Sequence, residues 1–330
     1  DFDTQEYNVK GIYGMNGSGK SAIVTSVDIL KNVLTTPGYL SNPLVQKNLD
    51  EIINKKLGEL YIEADFISKF DDMLMYYRYT LTLSKNKIGK YIISYEKLSS
   101  KRGTSKTDTM ETVFEVIEGE ICYINNQGDN SLAEMLFQKI INLLTNTSMC
   151  ELFCENVASS EEDVSEKYSG PLLVGLMVLF IFSNKLYAYL DQPDDHSDYF
   201  VKKLLHHADG MGDIDRNLST NYFKEMDTVM LNVIMVAENV VSKDRYERFE
   251  AMVANLYEFV HIFKSDLKGI EIDRKENQGT YICSLVMVYD SYKIHAEFES
   301  TGIKKLIKLY AYIREMVQGG IVFIDEFDSN

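Results

Sequence analysis

Cysteine is scarce in this chain. There are four in 330 residues, none at a repeated spacing, which excludes a disulfide scaffold and points to a reducing compartment, with the cytoplasm as the expected location. Positive charge is also short. The 34 Lys and Arg stand against 50 Asp and Glu, a formal net charge of −16, so the surface as a whole does not read as a nucleic-acid footprint, which needs clustered basic side chains. No apolar run is long enough for a membrane span. The longest, residues 171–182 (PLLVGLMVLFIF), is followed by Asn184 and Lys185, whereas a spanning helix needs about 18 to 20 apolar residues. Internal repeats, low-complexity tracts and sustained heptads are missing too, which excludes a long coiled coil. What remains is a chain with 45% apolar residues, enough to bury the core of one large or two ordinary domains, so disorder is excluded.

Periodicity divides the chain. Residues 7–13 (YNVKGIY) form a β-branched run entering Gly14, and from Ser21 the apolar Ile23, Val24, Val27, Leu30 and Leu34 keep helical spacing until Pro37. Strand, glycine-rich loop and helix are therefore expected in that order. Residues 60–67, 75–83 and 88–95 read as an antiparallel meander, 99–109 as a polar loop, and 112–117 and 121–124 as two more strands. The middle reads as helical. Its signals are the stripe Leu132, Met135, Leu136, Ile140, Leu143 and Leu144, the run at 171–182 resuming over 186–190, and a stripe from Tyr246 to Phe263. Strands return at 269–272, 281–288 and 293–298. A helix over 301–317 then leads into 321–324, a continuous apolar strand of the kind buried in a parallel sheet.

Two motifs carry chemistry. Gly14-Met15-Asn16-Gly17-Ser18-Gly19-Lys20-Ser21 matches G-x-x-x-x-G-K-[ST] in full, in the strand-to-helix context that the motif requires. Its glycines let backbone N–H groups close around a phosphate at a helix N-terminus, Lys20 reaches the β- and γ-phosphates, and the Ser21 hydroxyl ligates Mg²⁺. At the far end, Asp325 and Glu326 follow the apolar strand 321–324, at the carboxyl end where open α/β sheets bind ligands. Asp325 is placed to hold Mg²⁺, and Glu326 to orient and deprotonate an attacking water.

Together these motifs resemble the ABC-type ATPase head of SMC proteins, double-strand-break repair ATPases and the OLD-like ATPases of bacterial phage defence. Asn16 within G-x-N-G-x-G-K-S is typical of that group. Glu299-Ser300-Thr301-Gly302-Ile303-Lys304, one helix before the acidic pair, is similar to its E-S-[ST]-G-x-[KR] signature. The resemblance covers about the first 100 and last 65 residues and implies an α/β fold: a P-loop ABC-type head with an antiparallel β subdomain and a helical insertion. It divides the chain into an N-terminal lobe (1–125), a helical insertion (126–266) and a C-terminal lobe (267–330). Asn16, Gly17, Ser18, Gly19, Lys20 and Ser21 of one head, with Ser300 and Gly302 of another, would bind ATP. Mg²⁺ would sit on Ser21 and Asp325, with Lys20 and Glu326 catalytic. The implied protein is a homodimer or higher homo-oligomer around ATP. It would act as a sensor and switch over an effector, such as a Toprim-type nuclease, in anti-phage defence. A DNA-clamping repair ATPase and a non-hydrolysing nucleotide-bound scaffold are the alternatives. The Q-loop glutamine stays open among Gln46, Gln127 and Gln138. The D-loop stops at Asp328-Ser329-Asn330 and the histidine switch is missing, so the native protein is expected to continue beyond Asn330.

Other clusters rank lower. Asp194, Asp195, His196, Asp198, His206, His207 and Asp209 beside Pro193 read as a solvated helix start before a metal site. Cys150 and Cys154 are two ligands where structural zinc wants four. The basic run 97–106 reads as a solvated loop before a phosphate contact.

Overall fold

A computed structural model describes residues 9–15, 17–70, 73–105, 109–125, 145–158, 170–190, 234–277 and 279–327. The chain forms two compact units, Asp1–Leu190 with Phe323–Asp325, and Asp191–Val322 with Glu326–Asn330. Neither division coincides with the expected boundaries at 125 and 266. The expected stripe from Leu132 to Leu144 lies outside the described residues.

In the first unit, α1 (Lys20–Thr35) buries Val24, Ile29, Leu30, Val33 and Leu34, close to the stripe read from the sequence. A short helix α2 (Pro43–Ile52), missed in the sequence, starts on Asn42, whose side chain accepts from Leu44 N, with Pro43 at the first helical position. Five strands follow as an antiparallel meander in chain order: β1 (Glu59–Phe70), β2 (Met73–Lys85), β3 (Tyr91–Arg102), β4 (Glu111–Ile117) and β5 (Glu120–Ile124). Alternation along β2 buries Tyr77, Tyr79, Leu81 and Leu83, while Arg78, on the opposite face, makes a two-pronged bond to Asp65 across the β1–β2 pair. The expected loop at 99–109 is strand as far as Arg102. Ser99 and Ser100 pair with Thr112 and Glu111 past a register shift, so a partner strand overrides their weak intrinsic preference.

Helices α3 (Met149–Ala158) and α4 (Pro171–Asn184) complete this core. Gly175 brings α4 so near the sheet that a Cβ there would stand 2.8 Å from Val113 Cγ1 and 3.1 Å from Leu98 Cδ2. Gly175→Leu should therefore destabilise by about 1 to 3 kcal/mol through overpacking, read as a lower midpoint in thermal unfolding. The apolar pattern resuming at 186–190 is not more helix. Residues Leu186–Tyr189 form β6, which packs against α1, with the Lys31 ammonium 4.1 Å from the Tyr187 ring centroid.

A buried polar joint ties α3 to this unit. Glu96 on β3 is fully buried and accepts from Tyr79 O–H (2.9 Å) and from the first amide of α3, Met149 N (3.1 and 3.2 Å). Ser148 caps the helix, accepting from Glu151 N and donating to Val33 O at the end of α1, while Glu151 accepts from Gly38 N. Burial pushes Glu96 up from 4.5 to about 7, against the opposing pull of the Met149 amide and the Tyr79 hydroxyl. The folded state then holds this proton more tightly than the unfolded chain does. The stability it lends is full below 4.5 and is lost as pH rises through 7. Glu96→Gln cannot ionise, so its stability relative to wild type should improve between pH 5 and pH 8, by an amount on the order of 1 to 3 kcal/mol in denaturant titrations.

The second unit carries a four-stranded antiparallel sheet. Strand β9 (Thr280–Val288) pairs with β8 (Gly269–Asn277) along one edge, and with β7 (Asn239–Ser242) and β10 (Lys293–His295) at the two ends of the other. The expected strand 293–298 shortens because Ala296–Phe298 turn into a 3₁₀ segment. Helix α5 (Tyr246–Phe263) buries Phe249, Val253, Leu256 and Val260 toward this sheet, and α6 (Thr301–Val317) packs beside it, with Phe259 and Tyr310 rings 5.5 Å apart.

Two expectations near the ends of the chain change. Over the described part of 7–13 there is no strand, and Val9, Ile12 and Tyr13 are exposed; among the described residues no backbone edge pairs with them. The strand β11 (Ile321–Ile324) forms as read but is not buried on both faces: Ile321 is exposed and the others half-buried. Its hydrogen-bonded neighbour among the described residues is β6 alone. No helix among the described residues is long and apolar enough to cross a membrane.

Candidate functional site

The loop before α1 is shaped by backbone sign. Gly17 and Gly19 have φ of 81° and 92°, a region disfavoured for residues with a Cβ, and a Cβ at either would meet nothing within 4 Å. It is the left-handed backbone that asks for glycine there, since crowding does not. Ser18 N donates to Met15 O at 3.1 Å and closes the turn. Gly19 caps α1 without a side-chain acceptor, and the first turn holds no acidic residue, so the positive end of the helix is offset by no carboxylate of its own first turn. Lys20 folds back over the loop, its Nζ donating to Gly14 O (2.7 Å) and Met15 O (3.0 Å). That places the ammonium on two carbonyl oxygens at the start of the loop. Ser21 is exposed beside it, and Asn16 lies outside the described residues.

Asp325 belongs to the same unit as this loop. Its N–H donates to Tyr189 O (2.9 Å) at the end of β6, the strand against which α1 packs. The helix after the loop and the strand before Asp325 thus flank one strand, β6, whose apolar spacing predicts helix.

Ser300, Gly302 and Glu326 belong to the other unit. Ser300 caps α6, its Oγ accepting from Ile303 N (3.4 Å). Gly302 is exposed, and a Cβ there would meet nothing within 4 Å. Glu299 is engaged on both oxygens, by Tyr289 O–H (2.6 Å) and by Ser300 N (3.1 Å), and this clamp has no motif in the sequence that could reveal it. Glu326 has φ 49°, a left-handed conformation that costs a residue with a Cβ on the order of 1 to 2 kcal/mol. Its carbonyl accepts from Lys305 Nζ at 2.6 Å. Lys305 directly follows the Glu299-to-Lys304 motif in sequence, and spacing alone does not reveal a contact across 21 residues.

Gln46 is occupied elsewhere. Its amide donates to Leu40 O and Tyr91 O and accepts from Tyr91 N, tying α2 to the start of β3. Gln127 and Gln138 lie outside the described residues, as do Asp194, Asp195, His196, Asp198, His206, His207, Asp209 and the segment from Asp328 to Asn330. Cys150 is buried on α3, its thiol pushed up by the neighbouring Cys154 and by burial, which leaves it unreactive. Lys97 pairs with Glu115 at 3.2 Å on the strand ladder, and Lys101 stands over the Tyr76 ring. The start of the basic run is therefore strand surface. No family model matches this chain, and no curated protein sequence matches it at a significant level.

Proposed function

We propose that this chain binds and hydrolyses ATP as an ABC-type head. Two copies would close around the nucleotide, and the protein would act as the switch over an effector in anti-phage defence, a nuclease being the kind the family resemblance implies. One observation carries the nucleotide assignment: a loop with two left-handed glycines, the Lys20 ammonium folded onto it and a helix end without a side-chain cap behind it. An anion is what such a loop attracts. Lys20 already donates to two loop carbonyls there, and exchanging those bonds for phosphate oxygens keeps its hydrogen bonds while pairing its charge.

The oxygen donors suit a hard divalent cation. The Ser21 hydroxyl and the Asp325 carboxylate are the ligands that would hold Mg²⁺. Mg²⁺, when bound, neutralises charge on the phosphate oxygens. Glu326 takes the proton of the attacking water as that water's oxygen bonds to the γ-phosphorus and the bond to the ADP oxygen breaks. Ser300 and Gly302, at an exposed helix N-terminus, offer a hydroxyl and amides to the γ-phosphate of the facing copy. The experiment that tests the proposal is ATP turnover by purified protein, alone and with DNA. Turnover that is independent of DNA supports it. DNA-stimulated turnover with salt-dependent binding favours the DNA-clamping reading, and ATP retention without turnover favours the scaffold.

A further inference from the structure

A carboxylate stands directly before the helix end that is proposed to receive phosphate. Glu299 precedes Ser300, the N-cap of α6, and the first turn of that helix holds no acidic residue of its own. The amides of Thr301 and Gly302, the first two of α6, donate to nothing among the described residues. The positive end of a helix attracts a carboxylate within reach, yet Glu299 does not sit on those two amides. It is gripped on both oxygens instead: Tyr289 O–H donates to Oε1 at 2.6 Å, and Ser300 N donates to Oε2 at 3.1 Å.

Tyr289 is a firm anchor. It is buried, it follows β9, and its N–H donates to Tyr292 O (2.9 Å) to close the turn into β10, whose first residue, Lys293, pairs with Val288. Its ring stacks on that of Tyr292 with centroids 4.7 Å apart, and the Lys264 ammonium stands 5.5 Å from its own centroid. Burial, reinforced by the bond to Glu299, pushes the hydroxyl above its ordinary value, so it stays a donor at neutral pH.

We propose that Tyr289 is a positioning residue for the two-copy nucleotide site: by holding the Glu299 carboxylate on Ser300 N, it leaves the Thr301 and Gly302 amides open to the γ-phosphate of the facing copy. The inference rests on the reading of two heads closed around ATP and adds a residue that none of the motifs contains. Without the Tyr289 hydroxyl, one oxygen of Glu299 loses its donor, and rotation of the side chain brings the carboxylate onto the open amides. There it competes with the incoming phosphate for the same donors and repels its charge. Because the competitor is a charge, removing that charge cancels the loss of the anchor.

Association of the full chain in a non-hydrolysable ATP analogue, followed by analytical ultracentrifugation, tests this with two variants. Tyr289→Phe keeps the ring and its stack on Tyr292 and loses the hydroxyl. Tyr289→Phe combined with Glu299→Gln also takes away the competing charge. The expected result for Tyr289→Phe is pairing weaker by about tenfold, the scale of one hydrogen bond to a charged group. Its melting temperature stays near wild type, as does its affinity for the analogue at a protein concentration too low for pairing, since the Lys20 loop lies in the other unit. The double variant recovers most of the loss. Unchanged pairing in Tyr289→Phe overturns the assignment while leaving the two-head reading intact. So does a double variant that pairs as weakly as Tyr289→Phe alone, which marks a structural role for the hydroxyl. If the unaltered protein binds the analogue and stays monomeric at every concentration tested, the two-head reading fails first and the role of Tyr289 falls with it.

Discussion

Lys20→Ala weakens ATP binding by about 10- to 100-fold in a titration followed by calorimetry or a fluorescent analogue, the loss expected when a charge-assisted contact to phosphate is deleted. The fold tolerates this change. Lys20 is the first residue of α1 and its side chain spans only its own loop, through Gly14 O and Met15 O, while alanine is the best helix former. Circular dichroism and melting should therefore match wild type. The positive φ of Gly17 and Gly19 makes a second version of the test: alanine at either position must either strain the loop or flatten it, and binding should fall again. Equal affinity in wild type and Lys20→Ala would mean that phosphate is not held at this loop.

The second large effect is at Glu326. Glu326→Gln removes the proton acceptor and keeps the shape, so kcat should fall by about 10²- to 10³-fold with ATP affinity retained, as expected for loss of a general base. On the proposed switch, the ATP-bound oligomer should also persist longer when hydrolysis is blocked; size-exclusion chromatography with ATP reads this directly. Turnover at the wild-type rate would move the base elsewhere, and Asp325, fixed through its backbone to Tyr189, would be the next carboxylate to change.

Much of the local structure was legible because it rests on short-range rules. The period of α5, the helix over Thr301–Val317 and the strand over Ile321–Ile324 follow from spacing and from the Ser300 cap and Gly319–Gly320 end alone. Three of the failures share one cause, tertiary pairing. Leu186–Tyr189 continues an apolar helix in pattern but is strand because β11 pairs with it. Ser99 and Ser100 look like loop until β4 is beside them. Residues 9–13 look like strand and are not, for want of an edge among the described residues. At the candidate site the residue types of the loop and of the acidic pair were readable because each is a short run in the sequence. The Lys305 contact to Glu326, the Tyr289 clamp on Glu299 and the occupation of Gln46 by Tyr91 depend on long-range closure, which no spacing encodes.

The central claim is that one ATP is completed by two copies of this chain, and mixing two inactive variants tests it most directly. Lys20→Ala disables the loop and leaves Ser300 and Gly302 intact. Gly302→Asp leaves the loop intact and sets a carboxylate where the facing γ-phosphate would dock; the site is exposed with room for the side chain, and an acidic residue in a first helical turn favours folding. Each variant alone should be nearly inactive in ATP hydrolysis. Mixed in equal amounts, they should recover a substantial fraction of wild-type turnover, because a mixed pair contains one intact loop facing one intact helix end. Activity in the mixture no greater than the sum of its parts, or full activity of Gly302→Asp alone, would contradict a nucleotide shared between two heads.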